Sequence, residues 1–402
     1  MNKTSSETGK SGLSGLLPVL FCFFVMGFVD IVGTAVANIK DTLSLSSTMA
    51  GLLPNFIFIW FLVCSIPAGM MMRRVGRKTM VQISNVITIV AMLLPLPMIF
   101  GMVAPGLGVY IPVFVLMGVG NTVIQVALNP LLTNVVSGER LASAMTMGQF
   151  VKALSSLLGP QIVLFAAVGL GDWNYVFVIY AAVTLLSALW LMATPIPREV
   201  RDDSGKATFG GAFGLLKDKY ILLMFLSILL IVGIDVGLNF FIPEIFRSVY
   251  AAENPTSMNT LYFGARALGS FVCAVILVRF SARKILVWTM AASIAAYAVM
   301  MVLAGIPAGG AASQAVFICM FLPVGFATGN VFSIIFSFAM QHKPEKADLI
   351  SSLLIMGVAG GGAVTLVMGA LSDAMGIVGG MSALLVCMIF ILFVSLYVLK
   401  RK

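Results

Sequence analysis

Four ionisable side chains sit inside long apolar runs: Asp30 in FVMGFVDIVGTAVAN, Lys152, Asp235 in IVGIDVGLN, and Arg266. Each lies roughly seven or more residues from either end of its run, which at about 1.5 Å of rise per residue leaves it on the order of 10 Å from a polar boundary. Lysine and arginine can extend their heads toward water, whereas aspartate is too short. A charge at the centre of a membrane helix costs at least about 2.5–3.5 kcal/mol, so such groups face a bundle interior or a wet cavity. Two acids and two bases sum to zero, and the expected pairs are Asp30 with Lys152 and Asp235 with Arg266. Such pairs can be purely structural. They can also carry protons: desolvation favours the neutral acid and a nearby cation the ionised one, so making and breaking the pair switches protonation. Asp30 and Asp235 are therefore the proton-coupling candidates, and either could titrate. Lys152 or Arg266 could instead clamp a substrate carboxylate, for which the planar guanidinium has the better shape.

Uncharged polar residues share these runs. Asn121, Gln125 and Asn129 recur every four residues, which places them along one helical face. Gln149 stands three residues before Lys152, and Asn55, Gln161, Asn239 and Asn330 extend the set. Amides both donate and accept, which suits hydroxyl-rich ligands, and Trp60 offers an apolar face to a sugar ring. The competing role for any one amide is an interhelical hydrogen bond of about 0.6 kcal/mol. No phosphate loop, Ser/His/Asp arrangement or His/Cys metal set accompanies them, so neither ATP hydrolysis nor another enzymatic reaction has a sequence handle. No cofactor is implied; the energy source is an ion gradient, of protons first, with sodium left open. The five cysteines lie in apolar runs without CxxC spacing, as core filling. His342, in QHKPEK, reads as a solvated loop residue.

The elements that position these groups follow from composition. Hydrophobic types make up 60% of the 402 residues and charged types 10%, against about a quarter charged in soluble proteins. The chain is expected to be an all-α integral membrane protein. A span needs about 20 mainly apolar residues, and about twelve runs qualify: 16–37, 49–72, 80–100, 109–135, 142–168, 175–192, 220–246, 258–278, 285–304, 315–340, 349–371 and 377–399. The polar N-terminus leads into the first run without a cleavage site, so that run is read as an uncleaved span. Kinks are expected at Asn129–Pro130 and Gly159–Pro160, with freed carbonyls needing neighbours.

Lys and Arg fix the expected orientation. Nearly all of them fall on the side of the N-terminus, with Lys40 and Arg247 opposite, so both termini are placed in the cytoplasm. The net charge of +9 is then a topology signal, and no basic patch interleaved with exposed aromatics points to nucleic acid. The longest polar interruption divides the chain into 1–195, a linker 196–218 and 219–402. GMMMRRVGRKTMV is echoed by VILVRFSARKILV about 206 residues later, and FVDIVG by GIDVG about 205 later. Two parallel six-helix repeats with a site between them are expected of a transporter.

The loop segment GMMMRRVGRK is similar to the G-x-x-x-D-R-x-G-R-R/K signature of the major facilitator superfamily, with Arg73 where Asp is usual. QVALNPLLTNVV and SSLLIMGVAGGGAVTLVMGALSDAMG resemble segments of its fucose:proton symporter family, E-T-A-A-N-P and M-G-G-G-x-V-T-P-x-x-G-x-x-S-D. The resemblance implies twelve helices in two pseudo-symmetric six-helix bundles, a gating role for Gly69, Arg73, Arg74, Gly76, Arg77 and Lys78, and alternating access. The family's fourth-span acid falls on Gln125, and its first-span acid near Gly33, one turn after Asp30. Asp30 and Asp235 are then the replacement candidates for coupling. The expected function is import of a sugar or sugar derivative, an acidic sugar included, with protons, across a bacterial inner membrane by a monomer. Alternatives are a proton-coupled drug or metabolite efflux antiporter, which should show an aromatic, acid-lined cavity with few amides, and a non-transporting receptor.

Overall fold

The computed structural model describes residues 7–45, 49, 53–136, 138, 140–197, 199, 209–251, 257–306 and 310–400. Lys3, Arg198, Arg201, Lys206, Arg401 and Lys402 of the basic clusters, and most of the linker centre, lie outside the described residues. The helices are α1 (Glu7–Met26), α2 (Val32–Leu43), α3 (Asn55–Val75), α4 (Arg77–Leu93), α5 (Leu96–Ile99), α6 (Leu107–Thr133), α7 (Arg140–Gly169), α8 (Tyr175–Ala193) and α9 (Phe209–Gly214). They continue with α10 (Lys219–Ser248), α11 (Ser257–Ile276), α12 (Ala282–Ala304), α13 (Ala311–Cys319), α14 (Phe321–His342), α15 (Ala347–Met356) and α16 (Gly360–Lys400). Helices satisfy their own backbone, which hydrocarbon demands.

Eleven helical segments among the described residues are long and apolar enough to cross a membrane. The last, Pro344–Lys400, has 57 residues, or roughly 86 Å of helix, against a hydrocarbon core of about 30 Å. It accommodates two crossings. Gly376, at φ 72° and ψ −177°, breaks α16 between them.

Two expected spans are interrupted by a 3₁₀ turn. A 3₁₀ turn, Gly27–Ile31, separates α1 from α2, and another, Gly357–Ala359, separates α15 from α16. At the first, Gly27 lies so close to α7 that an added Cβ would sit 2.7 Å from the carbonyl oxygen of Lys152. At the prolines, α6 and α7 run on through Pro130 and Pro160. Proline lacks an N–H, so it frees the carbonyl four residues earlier. For Pro130 that is Val126 O, taken by Ser351 Oγ at 2.7 Å. For Pro243 it is Asn239 O, taken by Asn259 Nδ2 at 3.0 Å.

The chain forms two compact units. Unit 1 comprises Met1–Ser137, Val151–Phe213 and Pro344–Met356; unit 2 comprises Gly138–Phe150, Gly214–Lys343 and Gly357–Lys402. In unit 1 a continuous apolar core includes Val25, Phe28, Val113, Phe114 and Phe177, with Phe28 stacked on Tyr180 at 3.9 Å. In unit 2 the rings of Phe246, Tyr250, Phe317 and Phe321 pack edge to face or tilted at 5.2–6.4 Å.

Candidate functional site

In unit 1, Asp30 stands in the 3₁₀ turn that Gly27 opens. Its Oδ2 accepts a hydrogen bond from Ser156 Oγ at 2.5 Å, and Lys152 Nζ lies 3.8 Å from the same oxygen. Lys152 and Ser156 are one helical turn apart on α7, so they share a face. At 3.8 Å the ammonium is an electrostatic neighbour without hydrogen-bond geometry. The Asp30 side chain keeps 37% of its surface accessible and that of Lys152 17%.

Asp235, in unit 2, is held quite differently. It lies in the unbroken α10. Arg266 Nη1 donates to Oδ2 at 2.8 Å and Tyr262 Oη to Oδ1 at 2.9 Å. Tyr262 is fully buried, and its oxygen also stands 2.8 Å from Thr328 Oγ1. Both carboxylate oxygens are engaged, and 17% of the Asp235 side chain is accessible. Asp235→Asn or Arg266→Gln alone strands a largely buried charge, at a cost of up to about 3–5 kcal/mol. We expect the double variant to lose less than the sum of the singles in thermal unfolding; strict additivity would deny the coupling.

The amides of α6 form a chain. Asn121 Nδ2 donates to Met26 O at 2.8 Å, Gln125 Nε2 to Asn121 Oδ1 at 2.7 Å, and Asn129 Nδ2 to Gln125 O at 3.1 Å. All three are buried. Asn121 thus caps the carbonyl at the end of α1, where the 3₁₀ turn interrupts the ladder. These donors serve the protein itself. Trp60 lies against Gly118, one turn before Asn121, and its indole N–H is buried without an acceptor among the described residues. Asn55 is exposed at the start of α3, and Gln161 is exposed on α7. Gln149, half-buried, belongs to unit 2, whereas Lys152 belongs to unit 1. In unit 2, Asn239 Nδ2 donates to Asp235 O at 2.9 Å. Asn330 is fully buried and donates to Phe326 O. Neither Asn239 Oδ1 nor Asn330 Oδ1 has a donor among the described residues.

The signature loop closes on Arg77. Gly76 takes φ 93°, a conformation that favours glycine, and turns the chain so that Arg77 points inward. Arg77 Nε donates to Asp348 Oδ1 at 2.8 Å, and Nη1 reaches Pro130 O, Thr133 Oγ1 and Asn134 Oδ1 at 3.2, 2.8 and 2.6 Å. Its backbone N–H donates to Glu199 Oε1 at 3.0 Å. Lys78 caps Met192 O and Thr194 O. Gly69 is buried, Arg73 half-buried and Arg74 exposed. Sequence reading missed Asp348 and Glu199, which lie far along the chain from the loop.

Burial alone would raise the Glu199 carboxyl, but hydrogen bonds from its own and Arg77's backbone N–H, from the Asn134 side chain, and the Arg77 charge together hold it below its usual value. Asp218 is likewise pushed up by burial and, more strongly, down by Lys343, His342 and the Tyr220 N–H. His342, expected in solvent, is half-buried with Nε2 3.1 Å from Asp218 Oδ2. A depressed carboxylate contributes stability above its unfolded pKa of about 4 and loses it as pH falls through the folded value. In thermal unfolding followed from pH 6 into acid, Asp218→Asn should therefore sit below wild type by a constant margin down to about pH 4 and approach it only at lower pH; a margin that shrinks above about pH 5 would contradict this.

The sequence profile of the Major Facilitator Superfamily matches residues 19–364. The chain belongs to the Major Facilitator Superfamily. Within it, the chain is 23% identical to the glucose/galactose transporter of Brucella abortus over 410 residues, 98% of this chain and 96% of the relative. It is 23% identical to a putative glucose/galactose transporter of Helicobacter pylori over 427 residues, covering 100% and 99%. Its fold is similar to that of the E. coli fucose:proton symporter, with TM-score 0.81, 18% identity and coverage of 98% and 100%. A proton:xylose symporter gives 0.74 at 16% identity, covering 98% of this chain and 96% of that one. This superfamily member is a multi-pass membrane protein that moves a small solute by secondary transport.

Proposed function

We propose that the chain imports a neutral sugar with a proton by alternating access, with Asp30 as the coupling acid. The observation that carries this is the contrast between the echoed aspartates. Asp30 occupies a helix interruption, one third accessible and held by one hydroxyl and a distant ammonium. Asp235 is fixed by a guanidinium and a buried phenol. A proton-exchanging group must reach water and change partners, and only the first arrangement offers that without breaking a buried pair. Arg266, facing Asp235 at 2.8 Å, is already compensated by a protein carboxylate, which favours a neutral sugar over an acidic one. The glucose/galactose transporters among its relatives point the same way. The protein works in a bacterial inner membrane with both termini cytoplasmic, as a monomer whose moving repeats are 1–195 and 219–402.

Uptake into proteoliposomes from a panel of neutral sugars, acidic sugars and lipophilic cations, with and without an inward proton gradient, tests this. Gradient-driven accumulation of a neutral sugar is the expected result. Accumulation of acidic sugars alone would return Arg266 to substrate binding, and cation extrusion would replace import by antiport.

A further inference from the structure

Two adjoining depressions on unit 2 have no part in the transport reading. One, of about 650 Å³, is lined by Arg279, Arg283, Gln341 and His342, with Ala142 and Val398 on its wall and no carboxylate among the described lining residues. Asp218, the acid that meets His342, is also held by Lys343 at 2.6 Å. The other, of about 730 Å³, is an apolar groove walled by Leu268, Val272, Trp288, Leu322 and Phe326, with Lys284 on its margin. Phe280 and Ser281 line both. The groove therefore opens at the rim of the basic pocket.

We propose that this composite site binds one anionic phospholipid, its phosphate in the basic pocket and an acyl chain along the groove. Three observations fit that occupant together. Arg279 stands between α11 and α12, and Arg283 and Lys284 in the first turn of α12, on the side that the distribution of basic residues makes cytoplasmic, where anionic lipids concentrate. The groove runs along α11 from Ile276 to Ala265, roughly 16 Å at 1.5 Å per residue. That is about half of a 30 Å hydrocarbon core, the depth of one leaflet. Trp288, 74% exposed, supplies the amphipathic ring found at membrane interfaces. A free anion has no use for the groove, and a zwitterionic lipid gains less from three cations.

The test is quenching of Trp288 fluorescence in the purified full chain by acyl-brominated phosphatidylglycerol against acyl-brominated phosphatidylcholine, with Trp288→Phe isolating its contribution. At about 1 kcal/mol per basic residue near an anionic surface, the phosphatidylglycerol midpoint should lie at least about fivefold lower in mole fraction. Arg279→Gln should remove most of that preference, and Lys284→Gln, at the groove margin, should reduce it independently should the first variant unfold. Inorganic phosphate should leave the quenching unchanged. Equal midpoints for the two lipids overturn the proposal, and so does relief of quenching by inorganic phosphate, which would mark a free-anion site.

Discussion

Asp30→Asn should abolish uphill accumulation of the sugar in proteoliposomes while leaving exchange of labelled for unlabelled sugar in place. Asparagine keeps the shape of the side chain and can still accept from Ser156 Oγ, which donates to Asp30 at 2.5 Å. It cannot carry a proton, and it leaves Lys152 without its counter-charge. Exchange needs reorientation of the loaded carrier only, whereas accumulation needs the proton to be released on the far side. The variant is therefore expected to equilibrate its substrate and go no further. Accumulation at the wild-type level would remove Asp30 from coupling and leave its pair with Lys152 a structural one.

The second large effect is expected at Arg77. Its side chain, 10% exposed, meets one carboxylate, two polar side chains and a backbone carbonyl. Arg77→Gln leaves Asp348 a buried charge without its cation, a loss on the order of 3–5 kcal/mol, read as a large fall in the thermal midpoint in detergent. Arg77→Lys should recover only part of it, because an ammonium cannot spread donors over four acceptors as the guanidinium does. If Arg77→Gln costs less than about 1 kcal/mol, as exposed pairs do, the clamp has been misjudged. The double variant Arg77→Gln with Asp348→Asn should lie above the single one, since the stranded charge is then removed.

These two sites differ in how far the sequence reveals them. The partners of Asp30 and Asp235 follow from charge balance alone, because hydrocarbon leaves few ways to keep a carboxylate. Ser156 and Tyr262, by contrast, were missed although each stands four residues from a predicted cation, Lys152 and Arg266. Helical spacing was the available signal. Asp348 carries no such signal: it reaches Arg77 across 271 residues, and only tertiary packing brings the two together. The amide ladder was visible as a face of α6, yet where its donors end could not be read. Asn121 donates to the Met26 carbonyl at the Gly27–Ile31 interruption, where Gly27 packs closely on α7.

The apolar spans were legible because their length is set by the bilayer, whereas their interruptions were not. Pro130 and Pro243 announce freed carbonyls in the sequence, but the donors, Ser351 and Asn259, are supplied by other helices. The break between the last two expected spans, 349–371 and 377–399, falls at Gly376, a single glycine with positive φ.

The most direct measurement is the proton itself. In lightly buffered proteoliposomes carrying an internal pH dye, addition of a transported sugar outside should acidify the lumen at a rate proportional to sugar uptake, and Asp30→Asn should take up sugar downhill without that acidification. Sugar entry with no pH change in the wild type, or the same pH change in the variant, would contradict a proton carried on Asp30.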